Sequence, residues 1–515
     1  MIFRYTKNLL SSSNNKILFL LITFFISRYI VYFDYILPKE IIWDESFLTA
    51  LNENFFEYFI YFHSLPLGNI IIAKLYLHLS NIFEIKSFYY LLNCSYSLFS
   101  FIIIYNLYLK IFKKINILIY FLFFFYVLAI IPYETWRLTH HDHINVFLFS
   151  YLMYFCYNFI FLENKNNYHF FIILFLFVLF YSSGLIILLE TLLVVFFFNY
   201  IKKKRLEKKM IFYIISILLI NSFVLLKNNY NIKQTSPTSV MNAVLLQKVH
   251  HALGDEKYKT NLKNTDLSIF LKKCIKNIYT NKTDDINHFE NITLFKCFLD
   301  KKNNIYNYKK IIKLLKESNA SVELINQVKK DLEERSSKPW KFSGPRYLEY
   351  NDRTNHIFQL ETKKIFLNSF INYPYEMLIG KIGSKGFLLT FIQTGSWGGL
   401  HPNYYEQHSK LNNLFFDILT ILFAIINISF IFYFVLFSLI KILFKKDFEY
   451  MNNKTFQYNI IILFFIGSFL FINSNVTCCE NPRMTVMIYF LFMINSLINI
   501  TNLINEKSLI KNVYN

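Results

Sequence analysis

Long apolar runs recur along this chain, and they constrain its fold more than any other feature. Most of them have about 17 to 25 residues, the length of helix that crosses the hydrocarbon core of a bilayer. The runs occupy residues 16–33, 88–112, 116–133, 144–162, 168–184, 185–201, 210–227, 413–444, 456–474 and 484–504. Inside a bilayer every backbone polar group must be hydrogen-bonded within the protein, so we expect an all-α integral membrane protein with about ten transmembrane helices.

The composition agrees with a chain whose solvent is lipid. Of its 515 residues, 54% are hydrophobic and only 17% are charged, which is too apolar for a soluble domain of this size. Much of the net charge of +20 lies in short basic runs beside apolar segments, where it orients the chain and indicates no nucleic-acid partner. The six cysteines have no metal-ligand spacing.

Basic runs set the predicted orientation. The strongest, residues 202–205 with Lys208 and Lys209, should be cytoplasmic. Counting crossings from it puts both termini inside, provided that residues 66–84 lie in the membrane interface and do not cross. Arg28, near the outer end of the first run, is expected to extend its side chain to the interface rather than to bind a ligand.

The chain divides into three predicted parts. Residues 1–227 form an N-terminal transmembrane module with about seven crossings, and residues 412–515 form a C-terminal module with about three. Between them, residues 228–411 are polar and should form a large, mainly helical extracytoplasmic domain.

Apolar spacing predicts helices inside that domain. Residues 308–332 have helical periodicity, and residues 366–392 should form a helix that lies on the membrane surface. Cys274 and Cys297 either form a disulfide or remain two thiols, and both alternatives are open.

Four polar clusters fall on the predicted outer face. They are residues 43–45 with His63 and residues 66–68, then residues 134–143, residues 395–405 and residues 478–483. Charged residues at the ends of membrane-spanning helices are costly to collect on one face. Their convergence therefore favours a shared functional site.

The order of these clusters carries a family resemblance. Asp44-Glu45 precede His63-Ser-Leu-Pro-Leu-Gly68, Arg137 and Asp142 flank the next outer loop, and Glu480-Asn-Pro-Arg483 precedes the last run. This order resembles the GT-C superfamily of membrane glycosyltransferases, especially its protein O-mannosyltransferase and aminoarabinose transferase branch. The likeness extends over residues 20–190 and about the last 40 residues. It implies a GT-C fold and transfer with inversion in a single displacement.

The residues fit that chemistry. Asp44, with Glu45 beside it, is the candidate base that takes the proton of the acceptor hydroxyl. Arg137 and Arg483 are candidate ligands of the departing lipid phosphate, because a guanidinium pairs with phosphate through two hydrogen bonds. Asp142, with His141 or His143, is expected to orient the acceptor or to hold a divalent metal ion.

The expected function is transfer of a sugar from a polyprenyl-phosphate donor to a lipid, glycan or protein acceptor. The expected location is the bacterial inner membrane with the site facing outward, or the endoplasmic reticulum in a eukaryote. Residues expected to contact substrate are His63, His141, His401, Tyr404 and Glu480.

Several alternatives remain open at this point. His401 and Tyr404 either line the acceptor cleft or belong to an aromatic belt, and Arg483 either binds donor or anchors the last span to lipid headgroups. Glu190, inside an apolar run, is either a proton relay or a buried carboxyl bonded to a neighbouring helix, and we favour the second. The main alternative function is a multi-pass transporter or flippase for a lipid-linked or small substrate. A polysaccharide polymerase or ligase of related architecture would use the same kind of donor.

Overall fold

The computed structural model describes most of the apolar part of the chain. The described residues are 13–34, 67–113, 115–131, 134, 143–162, 168–180, 184–203, 208–232, 359–378, 410–444, 446–476 and 489–513, with Phe55 and scattered positions between 249 and 330. Among these residues the chain is almost entirely helical, as the apolar runs predict. The strands among them are one antiparallel pair, Leu299–Asp300 (β1) and Ile305–Tyr306 (β2).

Each predicted run contains a helix. In chain order the helices are α1 (Ser13–Asp34), α2 (Leu67–Leu79), α3 (Ile85–Phe112), α4 (Ile117–Ala129), α5 (His143–Phe161), α6 (Tyr168–Phe180), α7 (Gly184–Lys203), α8 (Lys208–Ile232), α9 (Gln359–Asn372), α10 (Pro374–Leu378), α11 (Lys410–Leu439), α12 (Lys454–Val476) and α13 (Tyr489–Val513). A π-helical turn, Ile440–Phe444, and a 3-10 turn, Phe448–Asn452, lie between α11 and α12. Of these thirteen helices, α2, α9 and α10 lie outside the runs.

Three of the described helices are long enough and apolar enough to cross a membrane. They are Ile85–Phe112, His143–Phe161 and Ile421–Phe444. By contrast, α4 has 13 residues, about 20 Å of helix, and is shorter than a hydrocarbon core of about 30 Å. The helical, membrane-like character of the chain therefore rests on three helices, and ten crossings remain a prediction.

Helix α13 is the centre of the bundle. Residues 489–500 are all buried, and α13 packs against α3, α4, α5, α11 and α12. At its start the ring of Tyr489 stacks on Phe423 of α11, with ring centroids 4.4 Å apart and planes inclined by 4°. By contrast, α1 turns large apolar side chains such as Phe25 and Tyr29 outward, as a helix in contact with lipid does.

The ends of the first helices align at one end of the bundle, which we call the Arg28 end. Near the end of α1, the Tyr32 hydroxyl lies 2.8 Å from the Ser87 hydroxyl at the start of α3. The Tyr90 hydroxyl donates to the backbone carbonyl of Arg28 at 3.1 Å. The chain therefore leaves α1 and enters α3 at the same end, as an interfacial placement of residues 66–84 requires.

Helix α2 lies at the Arg28 end as well. A Cβ placed on Gly68 would lie 2.3 Å from Cε1 of Phe180, the last residue of α6. Glycine is therefore required for this close approach of α2 to α6. The 13 residues of α2 fit a helix that packs on the end of the bundle.

The opposite end, which we call the Lys110 end, is defined by contacts among α3, α5 and α13. The Lys110 ammonium, near the end of α3, donates to Asn158 near the end of α5. Tyr108 and Thr501 share a hydrogen bond of 2.8 Å between their hydroxyls. Helices α3 and α5 therefore run in the same direction through the bundle.

The polar middle of the chain, residues 228–411, is described at fewer positions. Among residues 308–332, the described positions, such as Ile312 and Ile325, are helical as predicted. The predicted surface helix over residues 366–392 is described up to Leu378, where it consists of α9 and α10 with a break before Pro374. Proline fits the first position of a helix and cannot continue the preceding one. Cys274 and Cys297 lie outside the described residues.

Candidate functional site

Arg28 and Glu134 form a buried ion pair at the Arg28 end. Nε of Arg28 donates to Oε2 of Glu134 at 2.8 Å, and Nη2 donates to Oε1 at 2.8 Å. The side chains are only 5% and 0% exposed. Such two-point pairing fixes both the position and the orientation of the two groups.

The prediction that Arg28 extends to the interface is therefore wrong. A guanidinium reaches water only from a helix face that is open to the interface, whereas the Arg28 side chain is buried. Helix α1 packs against α4, and Tyr90 of α3 donates to the Arg28 carbonyl. Its carboxylate partner follows 106 residues later in the chain. A local pattern of apolar residues cannot reveal that partner, although an arginine within an apolar run is in itself a reason to look for one.

Three side chains of α3 surround the ion pair. We call the whole group the ion-pair cluster, and its members are Arg28, Glu134 and, from α3, Asn93, Cys94 and Ser97. Nδ2 of Asn93 donates to the backbone carbonyl of Glu134 at 3.2 Å. Sγ of Cys94 lies 3.8 Å from Oε2 of Glu134, and Ser97 also hydrogen-bonds that carboxylate. Glu134 is thus held through both its backbone and its side chain.

The guanidinium of Arg28 has further contacts on its own helix. Nη1 donates to the Ser27 hydroxyl at 3.0 Å, and Cζ lies 3.9 Å from the centroid of the Phe24 ring. These contacts direct the cation inward, toward Glu134. Arg28 is therefore a structural cation rather than a ligand for a phosphate group.

The predicted site residues lie outside the described part of the chain. These are Asp44, Glu45, His63, Arg137, His141, Asp142, His401, Tyr404, Glu480 and Arg483. Their roles and mutual distances therefore stay predictions. The structure instead places the helix ends that flank them.

Those flanking ends converge at the Arg28 end. The segment with Asp44 and Glu45 begins after α1 and leads to α2. The segment with Arg137 and Asp142 runs between Glu134 and α5. The hydroxyl of Tyr489, which opens α13 after the segment with Arg483, donates to the carbonyl of Tyr126 in α4 at 3.0 Å.

The third cluster, which contains His401 and Tyr404, precedes α11. That helix joins the bundle where Phe423 stacks on Tyr489. Each of the four polar clusters is therefore followed by a helix that enters the bundle at the Arg28 end. A shared site at that end is compatible with the described backbone.

Glu190 forms the hydrogen bond that we expected. Its Oε2 accepts from the Ser468 hydroxyl of α12 at 3.0 Å, so the prediction of a carboxyl bonded to a neighbouring helix is confirmed. The side chain is half-buried rather than buried.

Buried asparagines form a second polar feature of the bundle interior. Asn427 of α11 accepts through Oδ1 from the hydroxyls of Tyr126 and Ser496, each at 2.7 Å. Likewise, Nδ2 of Asn459 in α12 donates to Oδ1 of Asn499 in α13 at 3.0 Å. Polar side chains in membrane proteins often hydrogen-bond across helices in this way, because lipid tails offer them no hydrogen-bond partner.

Sequence reasoning missed these asparagines. The chain is rich in Asn throughout, so no single asparagine stands out by composition. Their placement within apolar runs was the usable signal, because a polar side chain there must face another helix.

The polar middle of the chain, residues 228–411, holds an exposed ion pair between Lys257 and Glu376 of α10. Nζ of Lys257 lies 2.5 Å from Oε1 of Glu376 and 5.5 Å from the centroid of the Tyr373 ring. The hydrogen bond lowers the pKa of the Glu376 carboxyl and raises the pKa of the Lys257 ammonium. This pair joins the segment around residue 257 to α10 and lies apart from the predicted site residues in sequence.

Comparison with known proteins gives no assignment. The chain matches no protein family, no curated protein and no solved structure. Among the described residues no group of three His, Cys, Asp or Glu side chains could hold a metal ion. Of the three residues considered for a metal, only His143 is described, and it is buried as the first residue of α5.

Proposed function

We propose that the chain is an integral membrane glycosyltransferase that uses a polyprenyl-phosphate sugar at the Arg28 end of the bundle. The observation that supports this proposal most strongly is the convergence of helix ends beside the ion-pair cluster. Residues from four distant parts of the sequence can then share one surface at the level of lipid headgroups.

The reaction proposed is one displacement at the anomeric carbon of the donor. Asp44, with Glu45 beside it, takes the proton of the acceptor hydroxyl, which is a poor nucleophile while neutral. The acceptor oxygen forms a bond to the anomeric carbon as the bond from that carbon to the phosphate oxygen breaks. The lipid phosphate leaves with the bonding electron pair, and the sugar is inverted.

The departing lipid phosphate gains negative charge and requires cations. Arg137 and Arg483 fit this role, because guanidinium groups near a membrane surface can each donate two hydrogen bonds to phosphate. In the proposal, His63, His141, His401, Tyr404 and Glu480 contact the sugar and the acceptor. Asp142 orients the acceptor, with or without a divalent metal ion.

The ion-pair cluster has a positioning role in this proposal. Glu134 is three residues before Arg137 in the sequence, and it is held through its carboxylate, through its backbone carbonyl and by complete burial. The start of the segment that carries Arg137 and Asp142 is therefore fixed to α1 and α3. Fixed supports of this kind maintain catalytic geometry.

The experiment is an assay of the purified full-length protein in detergent with a panel of polyprenyl-phosphate sugars. Release of lipid phosphate from one donor, with a membrane extract as the source of acceptor, would support the proposal and identify the sugar. No release from any donor in the panel would count against it.

A second candidate is a transporter or flippase, and Glu190 is the observation that favours it. An ionisable side chain within an apolar helix often marks a substrate or proton path, and Glu190 has a hydroxyl partner on α12. If transport is the function, Glu190→Gln should abolish substrate flux in proteoliposomes. If transfer is the function, the same variant should keep sugar transfer.

A further inference from the structure

A second polar group lies at the Lys110 end, away from the residues of the proposed transfer site. We call it the Lys110 cluster: Lys110 of α3, Tyr151, Tyr154 and Asn158 of α5, and His169 of α6. Nζ of Lys110 donates to the Tyr154 hydroxyl at 2.7 Å and to Oδ1 of Asn158 at 3.0 Å. The ammonium also lies 4.4 Å from the centroid of the Tyr154 ring.

His169 brings an imidazole ring to the cluster. Nδ1 of His169 hydrogen-bonds the Tyr151 hydroxyl, and the ring interacts electrostatically with Lys110. The described ion pairs are Arg28–Glu134 and Lys257–Glu376, so no described carboxylate pairs with Lys110. Lys110 is therefore the cation of the cluster, and it lies outside the described ion pairs.

The described hydrogen bonds leave one hydrogen on Lys110 and one on Tyr154 for a further acceptor. An ammonium has three hydrogens, and two of those on Lys110 are engaged by Tyr154 and Asn158. Because the Tyr154 oxygen accepts from Lys110, its own hydrogen can be donated to another group. Asn158 is already occupied, since its Nδ2 donates to the backbone carbonyl of Tyr154 at 2.9 Å.

The position of the cluster fits the headgroup level of a membrane. Lys110 is 16 residues beyond Cys94 of the ion-pair cluster, about 24 Å along α3 at 1.5 Å per residue. This separation approaches the thickness of a hydrocarbon core, about 30 Å. One turn beyond His169, Ile172 is 44% exposed and offers apolar surface for an acyl chain.

We infer that the Lys110 cluster binds the phosphate of an anionic phospholipid in the leaflet at that end of the bundle. Lys110 and Tyr154 donate to the phosphate oxygens, and Ile172 contacts an acyl chain. Basic pockets between membrane helices recognise anionic headgroups in this way. The site is distinct from the proposed transfer site, which lies at the Arg28 end.

The test is native mass spectrometry of the purified full-length protein with phosphatidylglycerol or phosphatidylcholine. The variants are Lys110→Gln, which removes the cation, and Tyr154→Phe, which removes one donor and keeps the ring beneath Lys110. The matched control is Lys454→Gln, because Lys454 is an exposed lysine at the start of α12, outside the cluster. A parallel arm adds inorganic phosphate to the protein with phosphatidylglycerol bound.

The wild type and Lys454→Gln should both prefer phosphatidylglycerol to phosphatidylcholine. In Lys110→Gln the affinity for phosphatidylglycerol should fall about tenfold, the loss of a charged hydrogen bond, and Tyr154→Phe should weaken it in the same direction. An unchanged preference in both cluster variants, or an equal loss in Lys454→Gln, would overturn the inference. Displacement of the lipid by millimolar inorganic phosphate would overturn the assignment of a lipid as ligand.

Discussion

The guanidinium of Arg28 and the carboxylate of Glu134 meet through two hydrogen bonds of 2.8 Å each, although 106 residues separate them in sequence. Both side chains are buried. The pair joins α1 to the end of α4, beside the start of α3. Glu134 precedes the predicted site residue Arg137 by three positions in the sequence.

Removal of one member of this pair should be strongly destabilising. Arg28→Ala or Glu134→Ala leaves one charge buried without compensation, so each should lower the free energy of unfolding by about 3–5 kcal/mol. The measurement is unfolding of the purified protein in detergent, followed by circular dichroism. The double variant Arg28→Leu/Glu134→Leu removes both charges and should cost less than either single change.

Single variants within about 1 kcal/mol of the wild type, the range of exposed ion pairs, would contradict this account of the pair. So would a double variant whose destabilisation equals the sum of the two single effects, because residues in one ion pair should not behave additively.

The close approach of α2 to α6 predicts a difference between two glycine substitutions. Gly68→Ala puts a Cβ 2.3 Å from Cε1 of Phe180, so the ring or the helix must move, at a cost of about 1–3 kcal/mol. Gly467→Ala in α12 meets nothing within 4 Å and should be neutral or stabilising by up to about 1 kcal/mol. Thermal unfolding of the two variants measures the difference, and an equal effect would refute the tight packing at Gly68.

Asn427 should contribute more to stability than either of its partners. Asn427→Ala leaves the hydroxyls of Tyr126 and Ser496 without their shared acceptor, which should cost about 1–3 kcal/mol. Ser496→Ala removes one donor and should cost about 0.6 kcal/mol, the average for such bonds in membranes. Comparable losses in the two variants, measured by the same unfolding assay, would show that the hydrogen bonds to Asn427 are not shared as described.

Local patterns predicted the helices of this chain and missed the contacts between them. The apolar runs predicted helices such as α3 and α5 with good bounds, because length and hydropathy are properties of one segment. The partner of Arg28 depends on which face of α1 meets α4, and a single sequence does not contain that information. Glu190 could be assigned a partner on another helix, but Ser468 itself could not be named in advance.

The candidate site was predicted from topology and resemblance. The count of crossings required the chain to enter α3 on the same face of the membrane on which it leaves α1. The hydrogen bonds from Tyr32 of α1 to Ser87 of α3, and from Tyr90 of α3 to Arg28 of α1, agree with that requirement. Roles for Asp44 and Arg483 depend on side-chain positions in segments outside the described residues. These roles therefore require direct tests.

Arg483 is expected to bind the phosphate of the donor. Arg483→Ala should weaken the binding of a polyprenyl phosphate by about tenfold or more, because a charge-assisted pair is lost. The control is Lys454→Ala at the other end of the bundle, which should bind as the wild type does. Unchanged affinity in Arg483→Ala would assign this side chain to lipid anchoring instead.

The most direct test of the central claim compares Asp44→Asn with Asp447→Asn in the release of lipid phosphate from a polyprenyl-phosphate sugar. Asp447 caps a turn at the Lys110 end by accepting from the backbone N–H of Tyr450, and asparagine can cap that turn equally well. The account predicts that Asp44→Asn lowers the rate at least about 100-fold, as loss of a general base does. It also predicts that Asp447→Asn keeps the wild-type rate. Wild-type release by Asp44→Asn would contradict the assignment of the site.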